Sequence, residues 1–588
     1  MDKDNTTHSN GAASDTLRDE MSDHESIKMI PTRQEELHKV NSHRPTILSM
    51  QDLEGTKKNL SVATIYVGLS VSMFMASLNS TVIAPAMGKI SSQLNDIEDA
   101  TWIATAYLVA FNATQPLYGK FSDIFGRKLV IQVAIFLFFV GSIVNALATS
   151  MGMLIAGRTV QGLGGGGVIS ICYIIIADIS PVDMRPRYQA LMMVIYGVAS
   201  VVGPLIGGAF VDHVSWRWDF WLNVILSVVA FTIITVFLKL PVEGSSSFRD
   251  KFKRIDWLGI AFSILFVVLL LLALSWGGVK YAWNSPHVIA CFVASGVSLI
   301  LLVFIEGWVA KEPLIPFPVI LNPAVAIIYI FTFFVAFGFI GTLYFGPVIF
   351  QSVYGADSTT SGLRLLPYMV CMIAASIGSG FFIPIVKRVK PFIVAGAALN
   401  LLGYGLFYTL NPSSNYGMQT GYLSFAGLGF GFTMQNTIVA VQNSTERKYL
   451  AVATSLNSFF MTLASAIGIA VYQTAMNVII AGELQSADPA AVQAAESIGA
   501  IANYTAIGLL PEQFRKIIID VFSVTLHKVF IIPLVTAAAA LIVSLFIKND
   551  RFGGPVAKET INVNEPAANT EHKEEVLDEE KAIASNEA

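Results

Sequence analysis

The sequence predicts an all-α membrane protein, and three observations predict it. Of 588 residues, 54% are apolar and only 13% charged, where a soluble domain carries about 25% charged residues. The apolar residues gather into about fourteen runs, each near the ~20 residues that cross a bilayer core. Between two of these runs lies Gly119-Lys120-Phe121-Ser122-Asp123-Ile124-Phe125-Gly126-Arg127-Lys128, four charges and two glycines in a tight turn. Such a turn makes sense where one helix returns into lipid as the next and the charges must stay in water.

The ends come first. Residues 1–60 are polar and rich in Ser, Asn, Asp and His, with no apolar block near Met1. No cleavable signal peptide is expected, and the segment reads as a disordered cytosolic tail. Residues 549–588 are similar and acidic. The net charge of −4 says little about partners, because charges are confined to tails and loops. Cys172, Cys291 and Cys371 fall inside apolar runs, without disulfide or metal spacing.

The runs follow in order. Six occupy 61–87, 101–118, 129–149, 153–177, 189–211 and 218–238. A pair follows at 256–276 and 286–308. Six more lie at 323–350, 363–386, 391–410, 417–442, 451–476 and 529–547. A polar, basic linker (Glu243 to Arg254) ends the first six, so the pair reads as an insertion between two six-helix halves. The resulting division is an N-terminal bundle at 61–240, linker and inserted helices at 241–310, and a C-terminal bundle at 311–548. That last bundle includes an outer loop, 477–527, too polar to span. Lys and Arg mark the cytosolic side: Lys120, Arg127, Lys128, Arg185, Arg187, Arg249, Lys251, Lys253, Arg254, Lys387, Arg388, Lys390, Arg447 and Lys448 all fall on one set of loops. Both termini are therefore expected in the cytosol.

A weak internal repeat supports two halves. Gly119…Asp123…Arg127 has an echo in Gly380…Pro384…Arg388. Gly162-Leu163-Gly164-Gly165-Gly166 is echoed by Gly427-Leu428-Gly429-Phe430-Gly431. Parallel repeats of this kind build many secondary transporters.

Several residues are candidates for chemistry. Asp123, Arg127 and Lys128, with Gly119 and Gly126, can hold the cytosolic ends of neighbouring helices together and release them. Arg158 sits about a turn inside the outer end of its run. A cation at mid-helix costs roughly 2.5–3.5 kcal/mol, so it either snorkels outward or faces a central cavity as a coupling group. Asp99 is the first candidate for its counter-ion. No Asp or Glu lies near the middle of any run; Asp99, Asp178, Asp212, Asp219 and Glu306 sit near ends, and Asp99 or Asp219 is the expected titrating group. Asn79, Asn112, Gln115, Gln161, Gln435, Asn436 and Asn457 are polar groups that should point inward, either lining a cavity or bonding between helices. Without a carboxylate among them, neutral or amphipathic cargo is as plausible as basic amino acids. Asn503-Tyr504-Thr505 is a glycosylation sequon on the outer side.

The pattern Gly-x-x-x-Asp-x-x-Gly-Arg-Lys at 119–128 resembles the loop between the second and third helices of the major facilitator superfamily. Ala199-Ser200-Val201-Val202-Gly203-Pro204-Leu205-Ile206-Gly207-Gly208 resembles the antiporter signature of its drug:proton exporters, with Ala199 in place of the family's leading glycine. The stretches Thr101-Trp102-Ile103-Ala104-Thr105-Ala106-Tyr107, Gln115-Pro116-Leu117-Tyr118-Gly119-Lys120 and Ser215-Trp216-Arg217-Trp218-Asp219-Phe220 resemble the fungal fourteen-span branch. The resemblance implies a major facilitator fold and proton-coupled export of drugs, toxins or small metabolites from a plasma-membrane monomer. It implies small-molecule substrate, protons and lipid as partners, with no cofactor, metal or nucleic acid. Related exporters often carry an acid in the first helix; here Leu78-Asn79-Ser80-Thr81-Val82 supplies a neutral Asn79, so proton coupling rests on the resemblance. A vacuolar basic amino-acid transporter, a proton-coupled siderophore importer and a transporter-like nutrient sensor remain alternatives. No Gly-Lys-Ser/Thr phosphate loop is present, which argues against ATP drive, and no enzyme is expected.

Overall fold

The computed structural model describes residues 45–83, 85–96, 99–238, 248–278, 280–501 and 504–551. Two compact units divide the chain after Ser61; of the first, residues 45–61 are helical. The expected tails otherwise lie outside the described residues at 1–44 and 552–588, as does Asn503.

The second unit, from Val62 on, is built of helices: α1 (Val62–Val82), α2 (Trp102–Phe125), α3 (Arg127–Ala146), α4 (Met151–Ile179), α5 (Arg185–His213), α6 (Arg217–Phe237), α7 (Trp257–Trp276), α8 (Pro286–Phe304), α9 (Pro323–Ser352), α10 (Leu366–Val386), α11 (Lys390–Tyr408), α12 (Tyr416–Asn443), α13 (Leu450–Ser486), α14 (Glu512–Val529) and α15 (Ile531–Phe546). Helix starts are marked by polar caps. Ser150, Asp256, Ser285, Asn322 and Asn415 each accept a hydrogen bond from a first-turn backbone N–H, which satisfies a donor the helix leaves unpaired.

Among the described residues, twelve helical segments are long and apolar enough to cross a membrane. The count is lower than the fourteen expected. The difference is α2 and α12, helices of 24 and 28 residues that replace part of their apolar content with buried Asn112, Thr114, Gln115, Gln419, Gln435, Asn436 and Gln442. These two helices face protein, so protein groups rather than lipid solvate their amides. Elsewhere the outer surface is apolar: Phe136, Ile225, Val293, Ile300, Trp308, Ile385 and Phe546 are all exposed, as contact with acyl chains requires.

Small residues set the helix crossings. In α4, Gly162 and Gly166 abut α2, while Gly164 abuts α3 at Ala134 and Phe138. In α12, Gly427 and Gly431 abut α10, while Gly429 abuts α11 at Gly396 and Asn400. The two glycine runs that echo one another in sequence thus make the same alternating contacts. A Cβ on Gly141 of α3 would lie 2.7 Å from Gln161 Cα and 2.8 Å from Gln161 Cβ. Overpacking costs about 1–3 kcal/mol, and more where backbone cannot give way. Gly141→Leu is therefore expected to broaden or abolish the monodisperse size-exclusion peak of the detergent-solubilised protein; an unchanged peak and melting temperature would contradict this crossing.

The stretch expected as an outer loop, 477–527, is mostly helical. α13 continues to Ser486, a helix covers Pro489–Ser497, and α14 packs on α13 and α9. The reason is amphipathic spacing: Ile518, Val521, Phe522, Leu526 and Val529 are buried along one face of α14.

Candidate functional site

Arg158 of α4 is 1% exposed and does not reach outward. Its Nε donates to Ile103 O (2.9 Å), and its Nη1 donates to Asn79 Oδ1 (3.0 Å) and Gln161 Oε1 (2.9 Å). Its Cζ lies 4.5 Å from the Tyr107 ring centroid, a contact worth ~2 kcal/mol when desolvated. Gln161 is held in turn: its Nε2 donates to Ser142 Oγ (2.8 Å), and Asn145 Nδ2 donates to its Oε1 (3.0 Å). The structure pairs Arg158 with amides and a carbonyl, not with Asp99, which caps the turn before α2 by donating Asp99 N to Asp96 Oδ1 and accepting from Trp102 N.

Asn79 is the hinge of this network. Its Oδ1 also accepts from Asn223 Nδ2 (3.2 Å), and the same Nδ2 donates to the backbone oxygen of Asp219 (3.0 Å). Asp219, in the first turn of α6, is 0% exposed, and neither carboxyl oxygen has a hydrogen-bond partner. Among the described residues, neither Arg158 nor Asp219 forms an ion pair. The amide network that holds the buried cation thus ends on the backbone carbonyl of Asp219, whose carboxyl lies beside it without touching Arg158.

Beside the network lies a cavity of about 190 Å³ lined by α1, α2, α4, α5, α9, α12 and α13. Among the described residues, Arg158 is its one charged lining residue and no carboxylate lines it. The walls are aromatic and sulfur-rich, including Tyr107, Tyr173, Tyr196, Phe339, Met193 and Met434. Three of the expected amides line it with an unpaired atom each: Asn112 Oδ1, Gln115 Nε2 and Gln435 Oε1. The others do not line it. Asn79 and Gln161 serve Arg158; Asn457 accepts from Thr332 and donates to Thr437; Asn436 bonds its own helix at Phe432 O. Gln115 bridges the two sides of the cavity by accepting from Thr462 Oγ1 of α13 (2.6 Å).

Gly203 and Gly207 of α5 lie flush on α1 at Thr81 and Val82; added Cβ atoms would sit 3.1 Å from Thr81 Cβ and 3.1 Å from the Val82 carbonyl carbon. Pro204 is exposed, and a Cβ on Gly208 would meet nothing within 4 Å. The motif therefore seals α5 onto α1 at one rim of the cavity, beside Thr81 and Ser200 of its lining.

The opposite end is closed by two matching contacts. Gly119 of α2 abuts α13, where a Cβ would lie 2.9 Å from Val452 Cα and 3.0 Å from Ala451 O. Gly380 of α10 abuts α5, where a Cβ would lie 2.5 Å from Ala190 Cβ and 3.0 Å from Pro186 O. Gln189 Nε2 donates to Gln442 Oε1 (2.7 Å) at the same level. Gly126, with φ of 91°, turns α2 into α3 in a conformation that suits glycine. Arg127 binds Asp123 Oδ1 (2.5 Å) and Asp178 Oδ2 (2.9 Å), Lys128 donates to Thr235 O (2.7 Å), and Lys120 binds Glu312 Oε2 (3.0 Å). The hydrogen bond from Arg254, with Lys120 beside it, holds the Glu312 carboxyl below the usual range.

A family model described as Major Facilitator Superfamily matches residues 69–469. The chain belongs to the major facilitator superfamily. It is 32% identical over 490 residues to the MFS-type efflux pump MFS1 of Arthroderma benhamiae, covering 83% of this chain and 91% of that protein. It is 33% identical over 533 residues to the MFS-type transporter ppz2 of Metarhizium majus, covering 90% and 91%. Among solved structures, the MFS proton:xylose symporter XylE shares the fold at 14% identity and TM-score 0.52, covering 84% of this chain and 97% of that one. This superfamily member is thus an all-α, multi-pass membrane protein of secondary-transport type, with no enzymatic role.

What the residue-by-residue reading of the sequence missed was the wall around the expected amides. Tyr107, Phe111 and Gln115 recur at i, i+4 and i+8 on α2, and Ser458, Met461, Thr462, Ser465 and Ile469 form a stripe on α13. Both stripes have helical period and mix polar with apolar residues, the signal that separates a cavity wall from a lipid face.

Proposed function

We propose that this superfamily member exports neutral or amphipathic small metabolites in exchange for protons, by alternating access, as a fourteen-span monomer of the fungal drug:proton antiporter type. In this reading α1–α6 and α9–α13 with α15 are the two six-helix bundles, α7 and α8 are the insertion, and α2 and α12 complete the fourteen spans. Both termini lie in the cytosol and the plasma membrane is its site. One observation carries the reading: a cavity between the two bundles, walled by aromatics and amides, with no carboxylate among the described residues that line it, and shut at the Gly119–Gly380 end.

Mechanistically, cargo is held by ring faces and by the unpaired amide atoms of Asn112, Gln115 and Gln435. Such a site favours shape and apolar area over charge. Asp219 is the proton carrier and Arg158 the group that senses its charge through Asn79 and Asn223. Relatives named as efflux pumps support export over uptake; so does the resemblance of the stretch 199–208 to an antiporter signature.

The test is flux in proteoliposomes with an imposed pH gradient and a neutral aromatic fluorophore as probe. The probe is expected to move against the direction of proton flow. Movement with the protons would replace export by uptake, and no movement in a panel of such probes would remove this class of cargo.

A further inference from the structure

Away from the cavity, two carboxyls meet at the ends of the inserted helices. Asp256 caps α7, its Oδ1 accepting from Gly259 N (2.9 Å). Glu306 follows α8 in a single π-turn, Ile305–Val309, is 6% exposed, and accepts from Ile315 N through Oε2 (3.1 Å). One oxygen of each is therefore fixed by a backbone donor. The other two, Asp256 Oδ2 and Glu306 Oε1, are buried and have no partner. They converge on one spot: a Cβ on Gly259 would lie 2.8 Å from Asp256 Cγ and 3.0 Å from Glu306 Oε1. The charged side chains that act on Glu306 are Asp256 and Lys120.

Two carboxylates facing each other in a dry site repel, and neither orphan oxygen has a donor. One proton removes both problems, since a protonated carboxyl donates to its neighbour. We propose that Asp256 and Glu306 form a proton-binding site distinct from the transport pathway, one proton being held by the pair. The site closes α7 onto the end of α8. Its sequence neighbours extend the clasp: Arg254 binds Glu312 through Nε–Oε1 (2.7 Å) and Nη2–Oε2 (3.2 Å), and Glu312 binds Lys120 near the C-terminal end of α2 (3.0 Å). Loss of the proton leaves two negative charges across Gly259, which push apart the two ends whose flanks grip Lys120. The inserted pair thereby makes the grip on α2 depend on proton concentration at that membrane face.

The experiment is pH-titrated infrared difference spectroscopy of the full chain in lipid nanodiscs, in the Asp219→Asn background so that the other buried acid does not contribute. The carbonyl stretch of a protonated carboxyl is expected to disappear as pH rises, as one titration belonging to the pair. Asp256→Asn and Glu306→Gln each put a donating amide in place of the proton, so each keeps the fold, and each is expected to remove that band. Melting temperature gives a second readout in the unsubstituted protein. It is expected to fall as pH rises above the free-carboxylate range of about 4, by an amount that Glu306→Gln abolishes. A band that survives either substitution, the absence of any such band, or a pH dependence unchanged by Glu306→Gln would overturn the shared proton. None of these outcomes bears on probe flux through the cavity, which tests the export reading separately.

Discussion

Asp219→Asn is expected to abolish uphill transport while leaving probe exchange intact. The substitution keeps the size of the side chain and removes the carboxyl beside the Arg158 network that we propose carries the proton. Both carboxyl oxygens of Asp219 are buried without a donor. In the ionised form they would stand uncompensated in a dry site, which costs several kcal/mol. Protonation removes that cost, so occupancy by a proton and the packing of this corner are linked. The link to the cavity runs through Asn223 and Asn79 to Arg158, which reaches the lining. One pH unit supplies about 1.4 kcal/mol per proton, a tenfold concentration ratio. The variant should therefore lose about tenfold accumulation per unit of imposed gradient for each proton exchanged. Counterflow, which needs no net proton movement, should persist. Accumulation equal to that of the parent protein would place the proton carrier elsewhere. Asp99→Asn is the matched control, because Asp99 contributes backbone groups to the turn before α2 and no contact to Arg158.

Much of the architecture was legible because lipid imposes a simple rule. Runs of apolar residues must be helices, and the run at 153–177 became Met151–Ile179 while that at 417–442 became Tyr416–Asn443. The glycine echo was legible for the same reason: glycines within a span mark close crossings, and Gly164 and Gly429 make equivalent ones. The polar core was harder to read. Asn79 is neutral and so cannot itself bind and release a proton, and the sequence placed it only among groups that line a cavity or bond between helices. In the fold its carbonyl accepts from both Arg158 and Asn223, a junction that depends on three helices meeting. Nor does spacing along one chain reveal that Asp256 and Glu306, fifty positions apart, close on the same glycine. Hydropathy reports each helix against lipid; it is silent on which buried polar groups face one another. The segment 477–527 was obscure for another reason. Its helix α14 is amphipathic, so its mean composition reads as polar while Ile518, Phe522 and Leu526 are buried.

Gly119→Val should trap the transporter with its closed end open. Gly119 has α13 backbone directly over it: a Cβ would lie 2.9 Å from Val452 Cα and 3.0 Å from Ala451 O, with Ser455 Oγ also in contact. A flexible side chain could swing aside, but a backbone held in two helices cannot. The clash exists only while α2 and α13 are together, so it falls on one conformation and spares the other. Overpacking of about 1–3 kcal/mol placed on one side of a two-state equilibrium shifts it by about 5–150-fold. Transport requires both states, so turnover should fall by a similar factor although the protein folds and cargo binds. Access separates this outcome from misfolding. Ser458 lines the cavity one helical turn past Ser455, and a cysteine placed there should become reactive to an impermeant thiol reagent added on the Gly119 side. Gly380→Val tests the same idea from the matching contact, because Gly380 meets Ala190 and Pro186 of α5 as Gly119 meets α13. Both variants should open the same end. If labelling at Ser458 stays at the parent level in both, these two crossings do not form the gate. Labelling raised in one alone would mean that the two seams open independently, and a single rocking motion of paired bundles would have to be abandoned.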